Sequence, residues 1–355
     1  MSRMFVPGPV DVAPEVLKVM SKPMLPHRSK EYEAIHRSAA EKAQKVFFTN
    51  YRVFIGTHSG SGMQETGIRN LVNQDVLCCV NGAFSDRWYD VAISNGKNAD
   101  RLDIDWGMAI KPDQLREALK AKKYEVVTIV HNETSTGVEN PLEELAKVVK
   151  EVSPNTLILV DAVSSLGGTK IEMDAWGIDF LLTSSQKCLA LPPGISLVGV
   201  SDRAMAKAAT VENRGWYFDL LLMEKHRVKN STAMTPAISL VYALDYQLDR
   251  IFEEGLEDRF ARHAAMSQRV YDWCAAHGMD SFAEESHRSK TVATIVNSKN
   301  LDISALNKFL VENYEMRIAG GYGDLKGKTF RIATMGEISL DNVNTLLSGM
   351  EKFIV

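Results

Sequence analysis

Short apolar runs alternate with amphipathic stretches from the start of the chain to about residue 250. The apolar runs occupy residues 53–57, 76–80, 125–131, 156–160, 180–184 and 196–200. Several of them are almost continuously apolar, which is typical of strands buried on both faces of a parallel sheet. The pattern therefore predicts an α/β domain with a doubly wound, mostly parallel sheet that is covered by helices.

Turn and capping residues separate these runs from the helices between them. A Gly/Ser-rich loop follows the run 53–57 and precedes a predicted helix at 64–72, and Asn81-Gly82 ends the run 76–80 before a further helix. Asn140 and Pro141 are predicted to be the N-cap and the first residue of another helix, because these residue types favour those two positions.

The pattern changes near Ala237. Residues 237–254 and 256–277 read as two long helices separated by Gly255, with Gly278 as the C-terminal cap of the second. A strand at 292–296, a helix at 303–313, short strands near Met316 and Phe330 and a final helix follow. We predict an N-terminal segment at 1–20, a large domain at 21–255 and a small α+β C-terminal domain at 256–355.

Composition and charge exclude several classes of protein. The 355 residues include 41 Lys+Arg and 45 Asp+Glu, a formal net charge of −4, so the chain has no basic footprint for nucleic acid. No apolar run is long enough to span a membrane, and the first residues, interrupted by Pro7, Gly8 and Pro9, do not form a signal peptide. We therefore expect a cytoplasmic protein of about two domains.

The cysteines and histidines indicate neither disulfides nor a metal site. Cys78 and Cys79 are adjacent, Cys188 and Cys274 are far apart, and no C-x-x-C occurs, so reduced thiols are expected. The eight histidines form no H-E-x-x-H or H-x-H grouping, and no metal is predicted.

Chemistry-bearing residues fall in four segments near predicted strand ends, where open α/β sheets bind ligands. Gly60 and Gly62 lie in a turn that suits an anion or is a plain connector. Asp161 ends a strand and either caps a turn or pairs with a cation. Lys187 is either solvated or a desolvated nucleophile, and Arg331 either snorkels from a strand or holds a carboxylate.

The combination of these groups matches the needs of pyridoxal phosphate chemistry. A lysine amine carries the cofactor aldehyde as an imine, and an aspartate keeps the pyridine nitrogen protonated so that the ring withdraws electrons. A glycine turn holds the phosphate, and an arginine holds a substrate carboxylate.

The chain resembles a known family. The segments PGPVDVAPEVLKVM, HRSKEYEAIHR, SGSG, HNETSTGVENPLEEL, LVDAVSSLGG, GIDFLLTSSQKCLALPPGISLVGVS and FRIATMG are similar to the class V aminotransferases, of pyridoxal phosphate fold type I. The resemblance is greatest to the alanine–glyoxylate and serine–pyruvate aminotransferase branch and covers nearly the whole chain. It implies a large domain with a mostly parallel seven-stranded sheet and pyridoxal 5'-phosphate as cofactor.

The resemblance assigns roles to individual residues. Lys187 matches the Schiff-base lysine and proton shuttle, Asp161 the partner of the pyridinium nitrogen, and Val163 the residue packed beneath the ring. The remaining matches are cofactor and substrate contacts. Phosphate contacts are Ser61, Gly62, Met63 (often His in the family), Gln186 and, from the neighbouring subunit, Thr235; ring contacts are Phe84 (often Trp) and Thr134; substrate contacts are Arg331 and Gly8.

The resemblance also implies a reaction and an assembly. It predicts a homodimer that moves the amino group of alanine or serine to a 2-oxo acid, glyoxylate or pyruvate, in ping-pong order. Aminotransferases for 2-aminoethylphosphonate or ureidoglycine remain alternatives. A cysteine desulfurase is disfavoured, because Gln186 precedes Lys187 and the segment AGGYGDLKGKTF contains no cysteine. A non-catalytic homologue is disfavoured because Lys187 and Asp161 are both present.

Overall fold

The computed structural model describes residues 3–354, so residues 1, 2 and 355 of the predicted N-terminal segment and small domain lie outside the described residues. The strands are β1 (Arg3–Phe5), β2 (Arg52–Gly56), β3 (Asp75–Val80), β4 (Asn98–Asp103), β5 (Val126–Val130), β6 (Asn132–Glu133), β7 (Val138–Glu139), β8 (Leu157–Asp161), β9 (Phe180–Ser184), β10 (Ser196–Val200), β11 (Val292–Val296), β12 (Met316–Gly320) and β13 (Thr329–Ala333). The α-helices are α1 (Pro14–Val19), α2 (Lys30–Phe47), α3 (Gly60–Leu71), α4 (Ala83–Ser94), α5 (Pro112–Ala121), α6 (Leu142–Val152), α7 (Met173–Trp176), α8 (Asp202–Ala208), α9 (Leu220–Arg227), α10 (Ile238–Glu254), α11 (Leu256–Ala276), α12 (Ile303–Tyr314) and α13 (Leu340–Ile354).

A seven-stranded sheet in the order β2-β10-β9-β8-β5-β3-β4 forms the centre of the molecule. Strand β10 pairs antiparallel with β2 and β9, and the other neighbouring strands pair in parallel, which confirms the predicted mostly parallel arrangement. Strand β8 shows why its sequence is continuously apolar. Leu157 and Leu159 pack with the core that includes α3 and α4, whereas Ile158 and Val160 pack with the core that includes α2 and α10.

A second sheet has four strands in the order β1-β12-β13-β11. Strand β1 is parallel to β12, so residues 3–5 of the predicted N-terminal segment extend a sheet that is otherwise built near the C-terminus. Phe5 is buried in the same core as Phe330 and Leu346. Helix α10 contributes Leu244 to the core of the large sheet and α11 contributes Val270 to this second core, and the boundary at 255 stays a prediction.

Two predicted helix starts are wrong. Helix α3 begins at Gly60 rather than near residue 64. Glycine suits this first position because a Cβ there would lie 2.8 Å from Val163 Cγ2, so the Gly/Ser-rich segment is part of the helix rather than a loop before it. Helix α6 begins at Leu142, and Asn140 does not cap it. The Asn140 side chain instead accepts a hydrogen bond from Ile110 N (2.9 Å) and donates one to Val130 O (2.7 Å).

Within residues 3–354, no helix combines the length and the apolar character needed to cross a membrane. All four cysteines are buried and none is paired in a disulfide.

Candidate functional site

A cavity of about 230 Å³ opens where the loops after β2, β5, β8 and β9 meet. Parallel strands end at the same edge of a sheet, which brings residues from distant parts of the sequence together. The lining residues are Ser59, Gly60, Ser61, Gln64, Phe84, Arg87, Val130, Asn132, Thr134, Asp161, Val163, Ser164, Gln186 and Lys187. Seven predicted site residues are therefore in one place, namely Ser61, Phe84, Thr134, Asp161, Val163, Gln186 and Lys187.

Asp161 is the last residue of β8, and its side chain is only 6% exposed. Its Oδ1 accepts a hydrogen bond from Val163 N (2.8 Å) and its Oδ2 accepts one from Gln64 Nε2 (2.9 Å). Burial raises the pKa of this carboxyl to about 6, although the bond from Val163 N acts in the opposite direction. Both donors are neutral, so the carboxylate is oriented but has no ion-pair partner within residues 3–354.

Lys187 follows β9 by three residues and lies partly buried in the cavity wall. Its Nζ donates a hydrogen bond to Pro7 O. Burial, followed by the charge of Arg331, lowers the pKa of the amine to about 8. A larger fraction of the amine is therefore neutral and nucleophilic near physiological pH than for an exposed lysine.

Gly8 lies directly against the Lys187 side chain, although it does not line the cavity. A Cβ on Gly8 would lie 2.7 Å from Lys187 Cδ and 2.9 Å from Nζ, and its φ is +106°. Both observations require glycine here, because other residues rarely adopt this φ and have a Cβ.

The N-terminus of α3 forms one end of the cavity. Ser61 lines it, whereas Gly62 N is engaged with Ser59 O (2.9 Å) and Met63 is completely buried in the hydrophobic core. Met63 therefore presents no side chain to the cavity. Gln186, on the lining, accepts a hydrogen bond from Ser184 Oγ (2.6 Å) through its Oε1.

Phe84 lies in the first turn of α4 and stacks on Tyr322, with 5.3 Å between ring centroids and 23° between planes. Thr134 Oγ1 is 2.5 Å from Ser164 Oγ, with either atom able to donate. Arg331, on β13, is only 8% exposed, so it does not snorkel to solvent. Its Nε donates to Gly320 O (3.0 Å) and its Nη1 to Thr134 O (3.5 Å), and burial lowers the pKa of the guanidinium to about 10.

Thr235 lies elsewhere in the chain. It lines a separate, smaller cavity of about 50 Å³ together with Thr57 and His58, so it does not contact the cavity of Lys187 in its own chain.

Three buried or half-buried residues of the site were not predicted from the sequence. Gln64 holds Asp161, and Arg87 lines the cavity beside Ser61. Glu133 is fully buried and accepts hydrogen bonds from Phe84 N (3.1 Å) and Ser85 N (2.8 Å), which caps α4 and fixes the backbone of Phe84. Glu133 could have been noticed as an acidic residue inside the HNETSTG segment, directly after an apolar run.

Comparison with known proteins gives one consistent result. The family model described as Aminotransferase class-V matches residues 18–344. An uncharacterized aminotransferase of Methanocaldococcus jannaschii is 38% identical, and the L-aspartate–glyoxylate aminotransferase of Paracoccus denitrificans is 33% identical. Each alignment covers 94% of this chain, with 87% and 86% of the respective relative. The solved alanine–glyoxylate aminotransferase of Nostoc sp. is 30% identical and superimposes with a TM-score of 0.93, covering 100% of this chain and 96% of that one.

Proposed function

The chain belongs to the class V aminotransferases, and we propose that it uses pyridoxal phosphate to move the amino group of a small amino acid to a 2-oxo acid. Its fold is that of the fold type I aminotransferases, as the sequence predicted. The observation that carries the proposal is the presence of Lys187 and Asp161 in the lining of one cavity. Burial lowers the pKa of Lys187 to about 8, which increases the neutral, nucleophilic fraction of the amine. Burial raises the pKa of Asp161 to about 6, because the carboxylate is desolvated and its hydrogen-bond donors are neutral.

The described residues fit the cofactor. Asp161 is a buried carboxylate without an ion-pair partner, which a pyridinium N–H would supply, and Gln64 Oε1 beside it is buried without a hydrogen-bond partner. Lys187 would hold the aldehyde carbon, and Ser61 at the N-terminus of α3 would contact the phosphate. When bound, the cofactor supplies a carbonyl that accepts the amino group and a ring that withdraws electrons.

The residues of this chain divide the remaining work. Lys187 Nζ holds and moves the proton of the substrate Cα, and its pKa of about 8 allows it both to accept and to release a proton near neutrality. Val163, Phe84 and Thr134 line the cavity and would contact the cofactor ring. Arg331 binds the substrate carboxylate and so aligns the Cα–H bond, which is a positioning effect.

The proposed donors are alanine and serine, and the proposed acceptors are glyoxylate and pyruvate, in ping-pong order. Glyoxylate is supported by the names of the Paracoccus and Nostoc relatives, of which the first acts on L-aspartate and the second on alanine. Since a single methyl group changes selectivity by only about 1–3 kcal/mol, the donor is decided by experiment.

We also propose a cytoplasmic homodimer in which Thr235 completes the phosphate site of the partner. The role proposed for Thr235 is supported by its position outside the Lys187 cavity of its own chain.

The test is a half-reaction screen. Purified protein is saturated with pyridoxal phosphate and mixed separately with alanine, serine, aspartate, 2-aminoethylphosphonate, ureidoglycine and cysteine, and loss of the visible absorbance is followed. Alanine or serine should remove the visible absorbance. In Lys187→Ala, borohydride should no longer trap a covalent link between protein and cofactor. Conversion by 2-aminoethylphosphonate or ureidoglycine alone would replace the proposed substrates. A wild-type protein that takes up no pyridoxal phosphate would overturn the proposal as a whole.

A further inference from the structure

Arg87 is a half-buried cation of α4 that lines the Lys187 cavity. Its Nη1 donates to Ser61 Oγ (3.3 Å), and its guanidinium carbon lies 4.9 Å from the centroid of the Phe84 ring. Within residues 3–354 it forms no ion pair with a carboxylate, and the adjacent Asp86 pairs with Arg101 instead. The guanidinium, with five N–H donors, therefore has one neutral hydrogen-bond acceptor among the described residues.

A partly desolvated charge without a counter-charge is unfavourable unless a ligand compensates it. A phosphate is a suitable ligand for arginine, because the planar guanidinium forms two parallel N–H···O bonds with it. Ser61 lies in the first turn of α3, a twelve-residue helix whose N-terminus also favours an anion. Arg87 and the helix end thus act on the same end of the cavity.

The other cations of the site are engaged elsewhere. Lys187 Nζ donates to Pro7 O, and Arg331 donates to Gly320 O and Thr134 O. Met63 offers no polar side chain to the anion, because it is buried in the core. Among the residues that the structure describes, Arg87 would therefore be the one positive side chain at the phosphate end of the cavity.

We propose that Arg87 binds the phosphate group of the cofactor and supplies the charge compensation that Met63 cannot. This inference rests on the proposed function, since it concerns the same cavity and cofactor. The cation–π contact between Arg87 and the Phe84 ring holds the guanidinium in place.

The test compares two ligands that differ only in the phosphate. Dissociation constants of the cofactor-free protein are measured for pyridoxal phosphate and for pyridoxal, with the wild type, Arg87→Gln, Arg87→Lys and the control Arg101→Gln. Arg101 belongs to the neighbouring ion-paired group and lies outside the cavity lining. Arg87→Gln should weaken pyridoxal phosphate roughly 10- to 100-fold and leave pyridoxal unchanged. Arg87→Lys should recover part of the loss, and inorganic phosphate should compete less well with the cofactor in Arg87→Gln.

Several results would overturn the inference. Equal weakening of pyridoxal phosphate and pyridoxal would mean that Arg87 acts only through the Phe84 ring. Unchanged affinity for both, or an effect confined to the KM of a dicarboxylic donor, would assign Arg87 to structure or to the substrate. If Arg87→Gln fails to fold, Arg87→Lys and phosphate competition against the wild type decide the question. A wild type that binds no pyridoxal phosphate contradicts the proposed function itself, which is a different result from a phosphate-independent Arg87 effect.

Discussion

At the scale of single residues, burial changes the two groups on which the proposed chemistry depends. It lowers the pKa of Lys187 to about 8 and raises that of Asp161 to about 6, so each group moves toward its neutral form. The two charges act on each other in the opposite direction, and in both cases burial is the larger effect. These shifts suit the proposed ligand, which would react with the Lys187 amine and place a cation beside the Asp161 carboxylate.

The pH dependence of cofactor attachment should report the Lys187 amine. Only the neutral amine attacks the aldehyde, so the rate constant should fall about tenfold per pH unit below the pKa and level off above it. The midpoint should lie near 8 rather than at the ordinary lysine value of 10.5. Stopped-flow absorbance after mixing cofactor-free protein with pyridoxal phosphate measures this, with N-acetyl-lysine methyl amide as the reference amine. A midpoint near 10.5 in the protein would show that burial does not act on Lys187 as described.

Asp161→Asn should stabilise the cofactor-free protein while it weakens cofactor binding. The folded-state pKa of about 6 lies above the ordinary 3.8, so the ionised carboxylate disfavours folding fully above pH 6, partly between 3.8 and 6, and not below 3.8. Asparagine has no such penalty, and Gln64 can turn its unpaired Oε1 toward the new Nδ2. The free energy of unfolding should rise by roughly 1–3 kcal/mol at pH 8, with the gain shrinking toward pH 4.

Urea denaturation at several pH values measures the Asp161→Asn effect, with the exposed Asp90→Asn as control. A gain independent of pH would contradict the electrostatic origin.

The sequence predicted the residues of the site that carry distinctive chemistry at strand ends, Asp161 and Lys187 first. It did not predict Gln64, because a glutamine inside a helix carries no chemical signal until its partner, 97 positions away, is known. Arg87 was missed for the same reason, since its guanidinium contacts Ser61 in a different helix. Such contacts depend on the three-dimensional arrangement and have no local pattern.

At the scale of elements, the N-terminal segment is the largest difference between expectation and structure. Strand β1 has three residues and is too short for any periodicity, yet it pairs with β12 more than 300 positions later. Six of the seven strands of the large sheet were predicted, because their apolar runs are almost continuous. Strand β4 was missed, because this edge strand is polar, partly exposed and has no apolar run. The start of α3 at Gly60 was missed because its Gly/Ser-rich first turn reads as a loop in the sequence. The start of α6 at Leu142 was missed because tertiary hydrogen bonds engage the Asn140 side chain that was expected to cap the helix.

The N-terminal segment contacts Lys187, and the substitution Gly8→Ala should show that this contact positions the lysine side chain. Both Gly8 (φ +106°) and the control Gly96 (φ +70°) have a φ that disfavours alanine, so each substitution should destabilise the fold by about 1 kcal/mol. Only at Gly8 does the new methyl group meet Lys187, whereas nothing lies within 4 Å at Gly96. Attachment of pyridoxal phosphate should therefore slow roughly tenfold in Gly8→Ala alone. Equal attachment rates in the two variants would mean that the Lys187 side chain moves aside without consequence.

At the scale of the whole molecule, net charge is a poor guide to the site. The chain carries a formal charge of −4, yet the cavity is lined by Lys187 and Arg87, with Arg331 one hydrogen bond away at Thr134. These cations come from the loop after β9, from α4 and from β13, so residues near the large sheet and a residue of the second sheet lie around one cavity. The anion recognition that we propose therefore depends on how the two sheets are held together.

Arg259 on α11 is one residue that connects the elements around the two sheets. It is 1% exposed, its Nε donates to Gly167 O (2.9 Å) and its Nη2 to Cys188 O (2.7 Å), next to Lys187. Its Nη1 pairs with Glu254 (2.5 Å) at the end of α10. One guanidinium thus connects two long helices with the loop that carries Lys187.

Arg259→Met should lower the free energy of unfolding by about 2–4 kcal/mol, because it leaves two buried carbonyls without donors. Glu254 keeps Arg262 as a partner, so the loss is not that of an isolated buried charge. The control is Arg269→Met on the same helix, where a single bond to Asn344 is lost at the surface and the change should stay within about 0.5 kcal/mol. Because Cys188 loses its anchor, the midpoint of the pH profile for cofactor attachment should also move from about 8 toward 10.5 as water reaches Lys187. A destabilised Arg259→Met protein with an unchanged midpoint would mean that Arg259 supports the fold without setting the environment of the amine.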